Sequence, residues 1–90
     1  MACRHEKSIE TRSVRTAERY GFRSIKIGDN GMPDRLFFRN GWHFWVEFKR
    51  PGGRLSSLQH AVIDDLRRVG ETVLVVDNAN QLIEFLEGLK

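Results

Sequence analysis

Two acidic residues and one lysine stand at a spacing that could bring them into a single site. Asp34 follows Pro33, and thirteen positions later Glu47 and Lys49 flank Phe48. On a strand, side chains two positions apart point to the same face, so Glu47 and Lys49 share a face that Phe48 does not. If a hairpin joins the two segments, both carboxylates meet the lysine near its end. Mg²⁺ is commonly bound by one or two carboxylates with water and phosphate oxygens, so the spacing is suited to hydrolysis of a phosphodiester bond.

Two more carboxylates could join this site from a predicted first helix. Glu6 and Glu10 lie four residues apart within the apolar sector of that helix. An acid on an inward face is costly unless it is paired or bound to a metal. Fraying of the first turn, or a favourable interaction with the helix dipole, would explain the same acids without a site. The chain has no cluster of cysteines and histidines, so a zinc site is not expected.

Other candidate residues have structural explanations of equal or greater weight. Gln59 lies within the apolar stripe of a predicted second helix, but with Ser56 it also matches the S-x-x-Q capping box. Trp42 and Trp45 could stack on bases, although packing is the more common role of such residues. A Glu-x-Lys pair is also common on the exposed face of a strand.

The predicted order of elements is helix, strand, strand, strand, helix, strand, helix. The helices are expected over 5–20, 56–69 and 78–89, and the strands over 23–27, 35–38, 43–49 and 72–76. Asn40-Gly41 predicts a tight hairpin turn, and the apolar run 72–76 predicts a strand covered on both faces. The second helix is expected to pack through a stripe with Ile63 at its edge, formed by Leu55, Leu58, Val62, Leu66 and Val69. The predicted fold is α/β, with a small mixed β-sheet flanked by helices.

Size and composition limit the classes of protein to which the chain could belong. Its 90 residues predict one domain, 1–90, with a modest core that a dimer interface could extend. The single cysteine, Cys3, fits a reducing, intracellular setting. No apolar run approaches the length of a membrane span, and no signal peptide is expected.

Positive charge is concentrated in the half that holds the acidic residues and Lys49. Residues 1–54 carry twelve Lys and Arg against six Asp and Glu, whereas residues 55–90 carry three against six. A basic surface of this kind favours a polyanion such as nucleic acid. The predicted nucleic-acid contacts are Arg12, Arg15, Lys26, Arg35, Arg50 and Arg54.

Three short motifs resemble a known nuclease family in sequence and order. Residues 31–36 read G-M-P-D-R-L, residues 46–53 read V-E-F-K-R-P-G-G, and residues 55–59 read L-S-S-L-Q. They resemble the G-x-P-D-x-hydrophobic, V-E-hydrophobic-K and L-S-x-x-Q segments of stand-alone VRR-NUC domains, which belong to the PD-(D/E)XK nuclease superfamily. The first helix, with Glu6-x-x-Ile9-Glu10, and the late strand also match in order.

The resemblance implies a restriction-endonuclease-like core and a DNA endonuclease that depends on Mg²⁺ or Mn²⁺. It implies that Asp34 and Glu47 bind metal, that Lys49 is the catalytic lysine, and that Gln59 is an accessory site residue. The first-helix acid would be Glu6, which fits the family pattern, or Glu10, which suits the superfamily spacing; we prefer Glu6.

The resemblance also bears on substrate and assembly. Similar single-domain nucleases act as homodimers on branched DNA such as four-way (Holliday) junctions. The resemblance to bacterial and phage proteins implies that the protein is located in the cytoplasm of a bacterial cell or of a phage-infected host. The alternative is a non-catalytic nucleic-acid-binding module with a nuclease-like fold.

Overall fold

Seven elements follow one another in the predicted order. The computed structural model describes residues 4–89, with side chains from residue 6 onward, so the expectation for Cys3 falls outside the described residues. The elements are α1 (Arg4–Arg19), β1 (Arg23–Lys26), β2 (Arg35–Arg39), β3 (Trp42–Phe48), α2 (Ser57–Arg68), β4 (Val73–Val76) and α3 (Ala79–Glu87). Every boundary lies within two residues of its predicted position. The prediction of an α/β fold with a small mixed sheet is confirmed.

The four strands form one sheet in the order β1-β2-β3-β4. β1 and β2 pair antiparallel, as do β2 and β3, whereas β3 and β4 are parallel. Asn40 and Gly41 both have positive φ, at 51° and 78°, which is the backbone of the tight turn predicted between β2 and β3. The parallel pair β3–β4 is joined through α2, as the strand-helix-strand spacing predicts.

The core lies between one face of the sheet and the helices α1 and α3. From β3, Phe44, Val46 and Phe48 are all fully buried, as their alternation predicts. Trp42 packs against Phe44 and Phe85 on the same side, with ring centroids 5.5 and 6.3 Å away. Within residues 4–89, no helix has the length and apolar character that crossing a membrane requires.

The predicted apolar stripe of α2 is centred on the wrong side of the helix. Ile63, placed at the edge of that stripe, is the buried residue of the helix, while Leu58 is 47% exposed and Val69 is 77% exposed. Val69 is the C-cap residue, just beyond the regular helix. Leu58 lies over the loop at Gly31 rather than over the sheet. The stripe assumed a helix lying flat on the sheet over its whole length, whereas α2 contacts the sheet chiefly at β4.

The sheet face that carries Glu47 is only partly covered by α2. Strand register aligns Ile25 with Leu36 and Trp45, and the next row aligns Phe38 with His43. Ile25 is 49% exposed and Phe38 is 38% exposed. We call the surface formed by Ile25, Leu36 and Phe38 the open sheet face.

Candidate active site

Glu47 is a buried carboxylate near the end of β3 with one oxygen fixed and the other without a partner. Its residue is 2% exposed. Oε2 accepts a hydrogen bond from Gln59 Nε2 at 3.0 Å and lies 3.3 Å from Lys49 Nζ. Among the described residues, buried Oε1 has no hydrogen-bond partner. A carboxylate held in this way has a fixed orientation and one oxygen available to a further ligand.

This environment disfavours the charged form of Glu47. Burial raises the pKa of Glu47 to about 7, and the negative charge of Asp34 adds to the shift, although Lys49 opposes it. The protonated form of Glu47 is therefore favoured up to higher pH than in an exposed glutamate when no metal is bound. A carboxyl with a strongly raised pKa beside a specific charged partner is a common feature of functional sites.

Asp34 lies beside Glu47 because β2 and β3 are neighbours. Phe48 donates its backbone N–H to Asp34 Oδ2 at 2.8 Å, which fixes the carboxylate against the end of β3. The Asp34 carbonyl accepts from Ile27 N, so the pairing with β1 extends past Lys26. Burial raises the pKa of Asp34, while the hydrogen bond from Phe48 opposes the shift. Asp34, Glu47 and Lys49 thus meet, as their spacing predicts.

Both candidate acids of α1 face the same region. Glu6, Glu10 and Asp34 line one cavity of about 250 Å³. Glu10 Oε2 accepts from Lys26 Nζ at 2.9 Å and from Arg35 Nε at 2.6 Å. Burial alone would raise the pKa of Glu10, but the hydrogen bonds from these two cations outweigh it and hold the pKa below its usual range. The negative charge of Glu6 contributes to the raised pKa of Glu47, so Glu6 is also close to the site.

The donor set suits a hard divalent cation in part. Within residues 6–89, no three His, Cys, Asp or Glu side chains are grouped closely enough to form a ready metal site. Mg²⁺ does not require one, because it typically uses one or two carboxylates and keeps several waters. The unpartnered Oε1 of Glu47 beside Asp34 is the oxygen that such an ion would satisfy. The residues therefore fit Mg²⁺ or Mn²⁺ bound largely through oxygen.

Gln59 combines the two roles that its sequence context left open. Its Oε1 accepts from Ser56 N at 2.9 Å, and its backbone N–H donates to Ser56 Oγ at 3.1 Å, which completes a capping box at the start of α2. Its Nε2 donates to Glu47. The cap thus holds the amide in the orientation that contacts the carboxylate.

Comparison with known proteins places this chain in a family. A family model of the VRR-NUC domain matches residues 1–80. The chain belongs to the VRR-NUC domain family. A solved structure described as a VRR_NUC domain superposes with a TM-score of 0.86 at 22% sequence identity, covering 98% of this chain and 100% of the other. That likeness shows the shared fold, and a search of curated proteins finds no match.

VRR-NUC domains are a nuclease-type family, so the chain has a nuclease fold with DNA as the implied partner. The predicted nucleic-acid contacts of this domain divide into two groups. Arg15, Lys26 and Arg35 line a groove beside α1, where Lys26 and Arg35 are tied to Glu10. Arg12 is exposed on the same stretch of α1 and lines a neighbouring cavity with Arg15.

Arg50 and Arg54 lie on the segment that follows β3 and are exposed. Gly53 N donates to Arg50 O at 2.8 Å, and Gly52 has a φ of 76° after Pro51, which together indicate a type II turn. This turn follows Lys49 directly, so both arginines lie next to the candidate active site.

Sequence reasoning missed Glu71 in this VRR-NUC domain. Glu71 Oε1 accepts from Trp45 Nε1 at 2.6 Å and contacts His43 Nε2 at 2.7 Å. The hydrogen bond from Trp45, with that of His43, lowers the pKa of Glu71. This hydrogen bond fixes the indole N–H of Trp45 against the protein. Glu71 lies just before β4, two positions ahead of Val73. The parallel pairing of β3 and β4 sets Val73 opposite Trp45, so a prediction of that pairing could have indicated Glu71.

Proposed function

We propose that this VRR-NUC domain is a DNA endonuclease that hydrolyses phosphodiester bonds with Mg²⁺ or Mn²⁺ as cofactor. The observation that carries the proposal is the state of Glu47. It is a buried carboxylate with Oε2 held by Lys49 and Gln59 and with Oε1 lacking a partner among the described residues. Leaving a buried carboxylate oxygen unpaired is costly, so this geometry supports a further ligand at Oε1.

Each side chain has a distinct role in this proposal. Asp34, Glu47 and Glu6 hold the metal, which when bound would offset charge on the scissile phosphate and activate water. Lys49, only 16% exposed, orients the attacking water or offsets charge on the phosphate. Gln59 fixes the rotamer of Glu47. Ligand carboxylates must be ionised, so binding of the metal releases a proton near pH 7.

We further propose branched DNA, such as a four-way junction, as the substrate and a homodimer as the active form. A dimer presents two sites for two strands. The open sheet face supports dimerisation, because its Ile25 and Phe38 are exposed apolar residues in successive rows of the same face of β1 and β2. The chain's excess of Lys and Arg supports a polyanionic partner. The expected location is the cytoplasm of a bacterial cell or a phage-infected host.

The decisive experiment is a cleavage assay with linear duplex, single-stranded, flap and four-way-junction DNA in Mg²⁺ or Mn²⁺. Lys49→Ala should abolish cutting, whereas Arg68→Ala, an exposed residue of α2, should not. Metal-dependent cutting by a clean Lys49→Ala preparation would overturn the assignment. Tight binding by the wild-type domain without cutting of any substrate would favour the binding module.

Light scattering tests the homodimer separately. The wild-type domain should have the mass of a dimer at micromolar concentration, and Phe38→Ser should shift it to a monomer. Val69→Ser is the matched control, because Val69 is also exposed and apolar but lies outside the open sheet face. A wild-type monomer, or equal effects of the two substitutions, would reject this interface.

A further inference from the structure

A basic groove leads away from the candidate active site along α1. It measures about 390 Å³ and lies between α1 and the strands β1 and β2. We call it the α1 groove, and it is lined by Lys7, Glu10, Arg15, Lys26 and Arg35, among others. Lys7, Glu10 and Lys26 also line the smaller cavity that contains Asp34. The two spaces are therefore neighbours with a shared wall.

The charge of the α1 groove favours an anion. Four cationic side chains line it against two carboxylates, those of Glu10 and Glu18. The Glu10 carboxylate is already occupied by Lys26 and Arg35. The remaining excess is positive, and it lies beside the place where a scissile phosphate would be bound. The anion that such a groove would meet first is another phosphate of the same strand.

Glu10 holds two of these cations in fixed positions. Its Oε2 accepts from Lys26 Nζ at 2.9 Å and from Arg35 Nε at 2.6 Å, and Arg35 Nη1 donates to Ser24 Oγ at 3.1 Å. Arg35 is thus held at two of its nitrogens and is only 22% exposed. A guanidinium or ammonium group fixed before binding loses less conformational freedom when it meets a phosphate.

We propose that the α1 groove binds the phosphate adjoining the scissile bond, with Arg15, Lys26 and Arg35 as contacts. In this arrangement Glu10 is a positioning residue for Lys26 and Arg35, and Glu6 is the acid of α1 that serves the metal. The inference rests on the proposed endonuclease function and deepens it, because it gives the DNA backbone a direction across the site.

The first test measures the salt dependence of DNA binding. Fluorescence anisotropy with a labelled duplex, in EDTA to prevent cutting, gives the slope of log affinity against log salt concentration. Arg15→Gln and Lys26→Gln should each reduce the slope by about 1 if each contacts a phosphate. Arg68→Gln changes the net charge equally but lies on α2, so it should leave the slope unchanged. Equal effects of all three substitutions would overturn the groove as a binding site.

The second test pairs a residue with a phosphate. Single neutral methylphosphonates are placed at successive positions around the mapped cut, and the affinity of each duplex is measured for the wild type and for Lys26→Gln. At a phosphate next to the cut, the two changes should be non-additive by about twofold or more, as contacting groups are. Additivity at every position would overturn the proposal. If the wild-type domain binds no DNA, the proposed function itself fails, which is a different result.

The third test addresses Glu10. By charge alone, Glu10→Gln should tighten DNA binding, because it removes an anion from the α1 groove. A positioning role predicts weaker binding, since Lys26 and Arg35 lose their shared ionised acceptor, and it predicts unchanged Mn²⁺ affinity in isothermal titration calorimetry. DNA binding as tight as in the wild type, or loss of Mn²⁺ binding, would overturn this role.

Discussion

Replacing Glu47 by glutamine should make the metal-free protein more stable at alkaline pH while abolishing the proposed metal site. Burial is the main reason that the pKa of Glu47 is about 7 in the folded state, against 4.5 as its ordinary value. A carboxyl whose folded-state pKa is raised contributes stability below its unfolded pKa. That stability is lost as the pH rises through the folded pKa. Glutamine carries no charge at any pH and has nearly the same size.

The difference between the folded-state pKa of Glu47 and its ordinary value gives the magnitude of the stability change. A shift from 4.5 to about 7 corresponds to about 3 kcal/mol of folding free energy, lost across that pH window in the wild type. Most of this loss, about 2–3 kcal/mol, falls between pH 5 and pH 8. Because Glu47 is only 2% exposed, solvent screening does not reduce this value much. Asp34 contributes a loss of the same sign, which both proteins should share.

The assay is urea unfolding in EDTA at pH 5 and pH 8, followed by tryptophan fluorescence. The wild type should lose about 2–3 kcal/mol more unfolding free energy than Glu47→Gln between the two pH values. Glu84→Gln on α3, an exposed position, should have the pH profile of the wild type. Parallel profiles for the wild type and Glu47→Gln would refute the reasoning, because they would mean that Glu47 ionises without penalty.

Adding metal should make the wild type more stable than Glu47→Gln at pH 8, the reverse of the order expected without metal. Mn²⁺ binds only a folded protein that has its ligands, so it should raise the midpoint of unfolding of the wild type at pH 8 in proportion to the logarithm of its concentration. Glu47→Gln should show little response, and chelation with EDTA should return the wild type to its former midpoint. An equal response of both proteins would show that Mn²⁺ binds elsewhere.

Four other substitutions test residues in and around the site. Gln59→Leu should lower kcat/KM for cleavage by about 10- to 100-fold, whereas Ser56→Ala, which removes the other half of the capping box, should cost about 1 kcal/mol in urea unfolding and leave kcat/KM unchanged. Equal losses of activity would leave Gln59 with only a capping role. Glu6→Gln should weaken Mn²⁺ binding in isothermal titration calorimetry, and unchanged affinity would remove Glu6 from the metal site. Gly31→Ala should lower the free energy of unfolding by about 1–3 kcal/mol, because Gly31 has a φ of 81° and an added Cβ would lie 2.7 Å from Leu58 Cγ. A loss in urea unfolding well below that range would show that the Gly31 loop relaxes freely.

Local patterns were sufficient to predict most of the fold. The alternation of β3 sets which residues enter the core, and Asn40-Gly41 predicts the turn that follows β2. Both signals act within a few residues, so no knowledge of distant elements is needed. The stripe of α2 failed because helical periodicity gives the direction of an apolar face but not how much of the helix meets a partner. Leu58 is apolar yet exposed for that reason, whereas Val69 is exposed as the C-cap residue just beyond the helix.

The candidate site was predictable in the parts that lie along one hairpin. Asp34, Glu47 and Lys49 are joined by β2 and β3, and the turn between these strands sets their relative positions. The partners of Glu10 were not predictable, since Lys26 and Arg35 reach it from strands packed against α1. Such contacts depend on how a helix lies across a sheet, which the periodicity of either element leaves open.

The buried position of Glu47 can be explained if a further ligand binds its unpaired oxygen. Its neighbours on β3, Val46 and Phe48, face the core on the other side of the sheet, whereas Glu47 is buried on the face that α2 partly covers, where Gln59 contacts it. Lys49 and Gln59 both act on Oε2, and neither satisfies Oε1. A buried oxygen without a partner lowers stability, and a cation bound there would remove that penalty and favour the ionised carboxylate at the same time. Stability and metal binding are thus linked through one side chain, and improving the stability of the metal-free fold at this position would destroy the site that the fold positions.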